Sequence, residues 1–182
     1  MRIITGKFKK RTLFSVPGNT TRPTTDYLKE VIFSIIQNYE DKKILDLFAG
    51  SGSLGLEALS RGAESVVFVD LSYKAINTMN RNIQNLDCVQ SCRIYRKKVS
   101  AFLKKSTEQF DMIFMDPPYD RNLVNPTIEL ILENNLINST GKIIVEHSKD
   151  EILDEKWTSK FEKQKISGKS QITVLGEINE NI

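Results

Sequence analysis

Histidine, cysteine and tryptophan are scarce in this 182-residue chain, which holds one His, two Cys and one Trp. The lone His147 lies far in sequence from Cys88 and Cys92, which are spaced C-x3-C without a companion pair. A closed zinc site takes about four ligands. No metal is therefore expected, and the cysteines read as reduced thiols of a cytoplasmic protein. No apolar run approaches the roughly 18 residues that cross a bilayer. The start, Met1-Arg2-Ile3-Ile4-Thr5-Gly6, lacks the long apolar stretch of a signal peptide. No membrane partner is expected, and no internal repeat or low-complexity segment is seen. Trp157 reads as a packing residue and His147, directly after Glu146, as a structural one.

The net charge of +3 conceals an asymmetry. Residues 1–25 carry Arg2, Lys7, Lys9, Lys10, Arg11 and Arg22 and no acid; the rest of the chain has 20 basic against 23 acidic residues. A local basic excess is what an anionic partner such as RNA would read, so these six are candidate phosphate contacts. A solvated basic hairpin accounts for the charge equally well.

Residues 1–24 read as a basic N-terminal β-hairpin and loop, with strands around Ile3 and toward Val16 and a turn at Pro17-Gly18-Asn19. Residues 25–182 read as one α/β domain. Thr24 or Thr25 is expected to cap a helix carrying Leu28, Ile32, Ile35, Ile36 and Tyr39 on one face. Strands then alternate with helices. Strand-like runs are 44–47, 66–69, 92–95, 111–115 and 143–146; helical ones are 54–61, 72–86, a short turn near 101–103, and 124–133. That alternation predicts a doubly wound, mostly parallel, Rossmann-like sheet of seven strands, closed by an antiparallel hairpin at 165–175. A monomer is expected.

Two crossovers carry chemistry. In Asp46-Leu47-Phe48-Ala49-Gly50-Ser51-Gly52-Ser53-Leu54-Gly55, glycines at the end of a strand let backbone approach a ligand closely. Gly50, Gly52 and Gly55 spell G-x-G-x-x-G, and Asp70, which ends the next strand, stands where an acid would hold ribose hydroxyls. A nicotinamide dinucleotide and S-adenosylmethionine both suit that outline. Asp46 favours the second: a carboxylate beside the turn repels a pyrophosphate and attracts a sulfonium and an ammonium. Phe48, Ser51 and Leu71 flank these positions and join the candidate donor contacts.

The other crossover is Asp116-Pro117-Pro118-Tyr119. Two consecutive prolines cannot donate to a sheet ladder, so the strand ends there. The Asp116 carboxylate and the Pro117 carbonyl can accept hydrogen bonds from a planar NH2, Pro118 stiffens the turn, and Tyr119 can stack on the ring, worth roughly 1–3 kcal/mol per base. The expected chemistry is methylation of an exocyclic amine on a nucleobase.

Asp116-Pro117-Pro118-Tyr119 resembles the [Asn/Asp/Ser]-Pro-Pro-[Tyr/Phe/Trp] motif of S-adenosylmethionine-dependent amino-methyltransferases. Arg2-Ile3-Ile4-x-Gly6-Lys7, Arg22-Pro23-Thr24-Thr25-Asp26, Leu45 to Gly52 and Glu57 to Ala63 are together similar to the bacterial small-subunit ribosomal RNA guanine-N2 methyltransferases, nearly throughout the chain. The resemblance implies S-adenosylmethionine as donor, and a guanine N2 of 16S RNA, at position 966, as acceptor. It implies naked 16S RNA or the 30S particle as partner, and Arg22-Pro23-Thr24 as a loop over cofactor or RNA. Two stretches depart from the family. Arg96-Lys97-Lys98-Val99 stands where an acid often lies near the adenine, which leaves that contact to backbone near Val99. Ser167-Gly168 lacks the usual aromatic before the glycine. Alternatives are a DNA adenine-N6 methyltransferase, which usually carries a separate target-recognition region, and a catalytically silent RNA-binding assembly factor. Protein glutamine methylation usually goes with Asn in place of Asp116.

Overall fold

The computed structural model describes residues 1–18, 26–119 and 121–176. The expected helix cap at Thr24 or Thr25, Arg22 and the Arg22-Pro23-Thr24 loop lie outside the described residues. In chain order the regular elements are α1 (Asp26–Ile35), β1 (Lys43–Leu47), α2 (Ser53–Ser60), β2 (Ser65–Asp70), α3 (Tyr73–Asn85), β3 (Cys92–Arg96), α4 (Val99–Leu103), β4 (Phe110–Met115), α5 (Val124–Glu133), β5 (Ile137–Ser148), β6 (Phe161–Ser167) and β7 (Ser170–Leu175). Short 3-10 turns precede β3 and β6.

The seven strands run β3-β2-β1-β4-β5-β7-β6. All neighbours from β3 to β5 are parallel, and β7 pairs antiparallel with both β5 and β6. This is the Rossmann-like doubly wound arrangement with a terminal hairpin that the alternating pattern predicts. β1 is central and buried on both sides, which is why it reads as an almost unbroken apolar run.

Alternate residues feed two cores. Ile44, Val66, Phe68, Met112, Phe114 and Ile144 pack with α1, α2 and α3 on one face. Leu45, Leu47, Val67, Val69, Ile113, Met115 and Val145 pack with α4 and α5 on the other, together with Trp157. By the same period of two, Asp46, Asp70, Asp116 and Glu146 fall on the first face.

Two boundaries differ from the periodicity. α1 stops at Ile35, so Ile36 and Tyr39 lie beyond it, although both are buried. The chain turns back through Gln37-Asn38, where the Asn38 side chain accepts the Glu40 N–H, and the Tyr39 ring meets Phe33 at 5.0 Å. β5 starts at Ile137, not near Ile143. Its first half, Asn138-Ser139-Thr140-Gly141, is polar and gives no apolar signal, yet Ile137 pairs with Phe110.

The N-terminal segment is a narrow loop with a single antiparallel bridge, Arg2 to Thr12, where two strands were predicted. Ile3 and Leu13 donate across the loop, to Arg11 and Met1, but beyond Ile3 the ladder cannot extend because the next amides are spent elsewhere. Glu57, fully buried on α2, accepts the Ile4 N–H at 2.7 Å and the Thr5 N–H at 3.0 Å. The Ser60 carbonyl accepts from Lys7 at 2.8 Å and its hydroxyl from Phe8 at 2.9 Å. Gly6, at φ 87°, lies so close that a β-carbon there would sit 1.7 Å from the Ser60 carbonyl oxygen. Ile3 and Leu13 enter the first core.

Lys29 is also fully buried, with its ammonium 3.9 Å from Glu57 and donating to the Arg2 carbonyl. Burial lowers its pKa, and the Glu57 charge is the largest opposing influence. Arg61 closes the cluster with a 2.9 Å hydrogen bond to Glu57. Breaking a buried ion pair from one side typically costs about 3–5 kcal/mol, because a charge stays buried unpaired. Glu57→Ala should lose about that much in chemical denaturation, and Glu57→Gln, which keeps one acceptor, less.

Candidate active site

The order β2-β1-β4 brings the carboxyl ends of three strands together where the chain changes direction of winding, the usual ligand edge of an open α/β sheet. Asp46 lies in β1, Asp70 ends β2 and Asp116 stands one residue past β4. Asp46 is level with Phe68 and Phe114. Asp70 and Asp116 therefore stand two residues higher, on either side of the β1 exit and roughly 10 Å apart by two strand spacings.

The β1–α2 turn is shaped by backbone that side chains rarely adopt. Gly50 and Gly52 have φ of 56° and 77°, and Phe48, a bulky residue, has φ of 57°. Gly55 is required for a different reason: a β-carbon would meet the Phe68 ring at 2.4 Å, so α2 could not approach β2. Carboxylates hold the turn in place. The Asp46 Oδ2 accepts the Gly55 N–H at 2.9 Å, and the Asp70 Oδ2 accepts the Gly50 N–H at 2.9 Å. The other Asp70 oxygen accepts the Ser72 N–H at 2.7 Å. Each oxygen retains a further lone pair for a ligand.

Asp46 is almost fully buried. Burial pushes its carboxyl well above the usual carboxylate range; the Gly55 hydrogen bond opposes this, and the charges of Asp116 and Asp70 add to it. A cation among the three acids would relieve that repulsion, and an anion would worsen it. This edge suits a positively charged ligand.

The other candidate donor contacts lie around it. Ser51 is buried in the turn, Leu71 is 58 % exposed just past Asp70, and Phe48 is half-buried against the second core. The Val99 side chain is buried in that core at the start of α4, so its backbone is the part that can face a ligand. Arg96, Lys97 and Lys98 are exposed beside it.

Pro117 is buried and Pro118 exposed. Tyr119, 37 % exposed, presents part of its ring to solvent on the β4 side of the edge. His147 points inward: one ring nitrogen lies 3.0 Å from the Thr173 hydroxyl, the other near the Ser148 and Glu151 carbonyls. Burial lowers its pKa. Trp157 is likewise buried. Cys88 and Cys92 are free thiols, and no cluster among the described residues could hold a metal.

Among the described residues, the N-terminal cations are not gathered at this edge. Arg11 donates to the Asn85 carbonyl at the far end of α3, and Lys7 sits beside the end of α2. At 1.5 Å per residue, the 13 residues of α3 separate Arg11 from Asp70 by about 20 Å, although Asn82, three residues before Asn85, reaches the glycine turn. Arg2 pairs with Asp26. Lys9 and Lys10 are exposed in the same remote turn.

Asn82 also shapes the site. Fully buried on α3, it donates to the carbonyls of Ser51 and Phe14 and accepts the Phe14 N–H, at 2.9, 3.0 and 2.7 Å. It ties the glycine turn to the N-terminal segment. Its only trace in the sequence is a polar residue among Ala75, Thr78, Met79 and Ile83 on the inner face of the helix.

The fold and this acid-lined edge define the class: a Rossmann-like methyltransferase. Residues 1–176 match the family model described as "Conserved hypothetical protein 95", and the chain belongs to that family. It is 42 % identical over 159 residues to the Bacillus subtilis protein named "Putative rRNA methyltransferase YlbH", covering 85 % of this chain and 86 % of the other. It is 39 % identical over 169 residues to "Ribosomal RNA small subunit methyltransferase D" of Haemophilus influenzae, covering 90 % and 88 %. The solved structure of the Escherichia coli "Putative methyltransferase yhhF" superposes with a TM-score of 0.85 at 30 % identity, covering 97 % of both chains.

A carboxyl whose folded pKa is raised favours the folded state in acid and loses that benefit as pH rises through the folded value. Asp46→Asn removes the buried charge and keeps an acceptor for Gly55. The variant should match the wild type near pH 4 and melt increasingly above it as pH rises, by about 3 °C for each kcal/mol, in ligand-free thermal scans.

Proposed function

We propose that this protein transfers a methyl group from S-adenosylmethionine to the exocyclic N2 of a guanine in 16S ribosomal RNA, at position 966. The observation that carries this reading is the joint placement of Asp46, Asp70 and Asp116 at one sheet edge, with the Pro117 carbonyl and the Tyr119 ring beside them. The residues fit the donor: three carboxylates suit its positive charges, and the glycine turn leaves room for its backbone-like amino acid part. When bound, S-adenosylmethionine supplies a methyl carbon already activated by a positive sulfur.

The chain's own work is binding and alignment. Asp70 accepts the ribose hydroxyls while keeping its hold on Gly50. Leu71 and the backbone at Val99 flank the adenine. The buried Asp46 supplies negative charge below the turn. On the other side of β1, the Asp116 carboxylate and the Pro117 carbonyl take the two N2 hydrogens. This draws the nitrogen lone pair out of the guanine plane and toward the donor side. Tyr119 covers one face of the base. No strong base is needed before transfer. As the N2–carbon bond forms, the carbon–sulfur bond breaks with release of S-adenosylhomocysteine, and the surplus N2 proton passes to the Asp116 carboxylate that already accepts from it. Alignment of this kind can supply up to about 7–11 kcal/mol. A base held this way must be unstacked or flipped out of the RNA. Lys7, Lys9, Lys10 and Arg11 would grip phosphates some way along the RNA from the target.

Labelled donor incubated with unmodified 30S particles and with naked 16S RNA, followed by nucleoside mapping, tests the reading. N2-methylguanosine at a single site is expected; label in another nucleoside, or in DNA only, would exclude it. Asp116→Ala should slow single-turnover transfer by about a hundredfold, a larger loss than that in donor affinity. Asp70→Ala should weaken the donor about tenfold in calorimetry.

Replacing Lys7, Lys9 and Lys10 together by Gln should reduce the slope of log K against log salt by about 2, with the rate on bound RNA unchanged. An unchanged slope would remove these lysines from the RNA contact.

A further inference from the structure

Tyr119 is open to solvent along its ring and tied down at its tip. Its hydroxyl lies 3.1 Å from the Glu146 Oε1 and 2.6 Å from the Ser170 Oγ. These partners come from different elements. Glu146 is on β5 and, by the pairing of Met115 with Val145, stands directly beside Asp116. Ser170 opens β7, at the turn of the terminal hairpin, and is held there by its pairing with Ser148. Both are buried. With Ser170 donating to the phenol oxygen and the phenol donating to Glu146, each proton has one acceptor. Burial first, and then the Glu146 and Asp116 charges, raise the Tyr119 pKa to about 12, against the Ser170 hydrogen bond, so the phenol keeps its proton.

A phenylalanine would stack on a base as well as a tyrosine does. The hydroxyl is retained at the cost of burying a carboxylate and an alcohol beside the site, a network that loses stability if one member is unsatisfied. Tyr119 follows two prolines and sits outside any helix or strand, so its neighbours on the chain do not set the tilt of its ring. We propose that Glu146 and Ser170 are positioning residues: by holding the Tyr119 hydroxyl they fix the ring plane, and with it the plane in which the base presents its amine to Asp116 and the Pro117 carbonyl. The terminal hairpin, outside the donor-binding half of the sheet, thereby becomes part of the acceptor site. This inference rests on the reading of Tyr119 as the base platform.

Single-turnover methyl transfer to unmodified 30S particles tests it, with donor affinity measured by calorimetry on the same preparations. Ser170→Ala, Glu146→Gln and Tyr119→Phe should each slow transfer about tenfold, as small misplacements of a reacting group do, and leave donor affinity within about twofold. Adding Ser170→Ala to Tyr119→Phe should slow transfer no further, because the tether is already gone. A wild-type rate in Ser170→Ala would overturn the proposal. So would multiplied losses in the double variant, or donor affinity falling in step with rate, the mark of a merely structural role. Should the wild type itself label no guanosine, the function proposed above fails instead, and that result is distinct from any of these.

Discussion

The reversal of winding at β1 is the constraint on which the rest of this molecule depends. β2 and β3 are laid down on one side of β1, β4 and β5 on the other, all parallel. Helices leaving β1 and β4 must therefore part, and a crevice opens above β1. Strand periodicity then does the chemistry's placing. Asp46, Asp70, Asp116 and Glu146 share both a face and an edge because each is separated by an even number of residues from an inward-facing partner on its own strand. One residue of slip in any of these strands would send its acid to the opposite face.

That concentration of acid is costly to the fold and useful to a cationic ligand. Asp46, buried and raised by its neighbours, is a locally unfavourable element of the ligand-free protein. Active sites commonly carry such conflict, compensated elsewhere. Here the compensation is visible in how firmly the surroundings are tied. Gly50 and Gly55 are held by the acids themselves, Ser51 by Asn82, and the N-terminal segment by Glu57 and Ser60. The basic N-terminal segment shares the main core, so its cations are displayed from a fixed surface along α2 and α3.

The two halves of the edge are built on different principles. The side at β1 and β2 relies on backbone: positive φ at Phe48, Gly50 and Gly52, and carboxylates bonded to amides. The side at β4 relies on side chains from several strands, since the prolines there cannot join a ladder. Tyr119 is steadied from β5 and β7, which makes the antiparallel hairpin more than a cap on the sheet edge. An edge strand rich in lysine, as β6 is, also discourages pairing with another chain.

The order of amino acids alone carries the alternation of strands and helices, the glycine turn after Asp46, the acid at Asp70 and the break at Asp116-Pro117-Pro118-Tyr119. Each of these is a local signal, carried by apolar period, by glycine or by proline, within a few residues of where it acts. It missed the polar first half of β5 and the early end of α1, because pairing with Phe110 and packing of Tyr39 on Phe33 are not local. That Glu57, Lys29 and Asn82 form internal fastenings emerges only in the folded protein. Only there does His147 face inward, the basic turn lie at the opposite end of α3 from Asp70, and Glu146 and Ser170 meet the Tyr119 hydroxyl. The physical reason is the same in each case: a buried polar side chain is defined by partners dozens of residues away, and no pattern of neighbours along the chain records who they are.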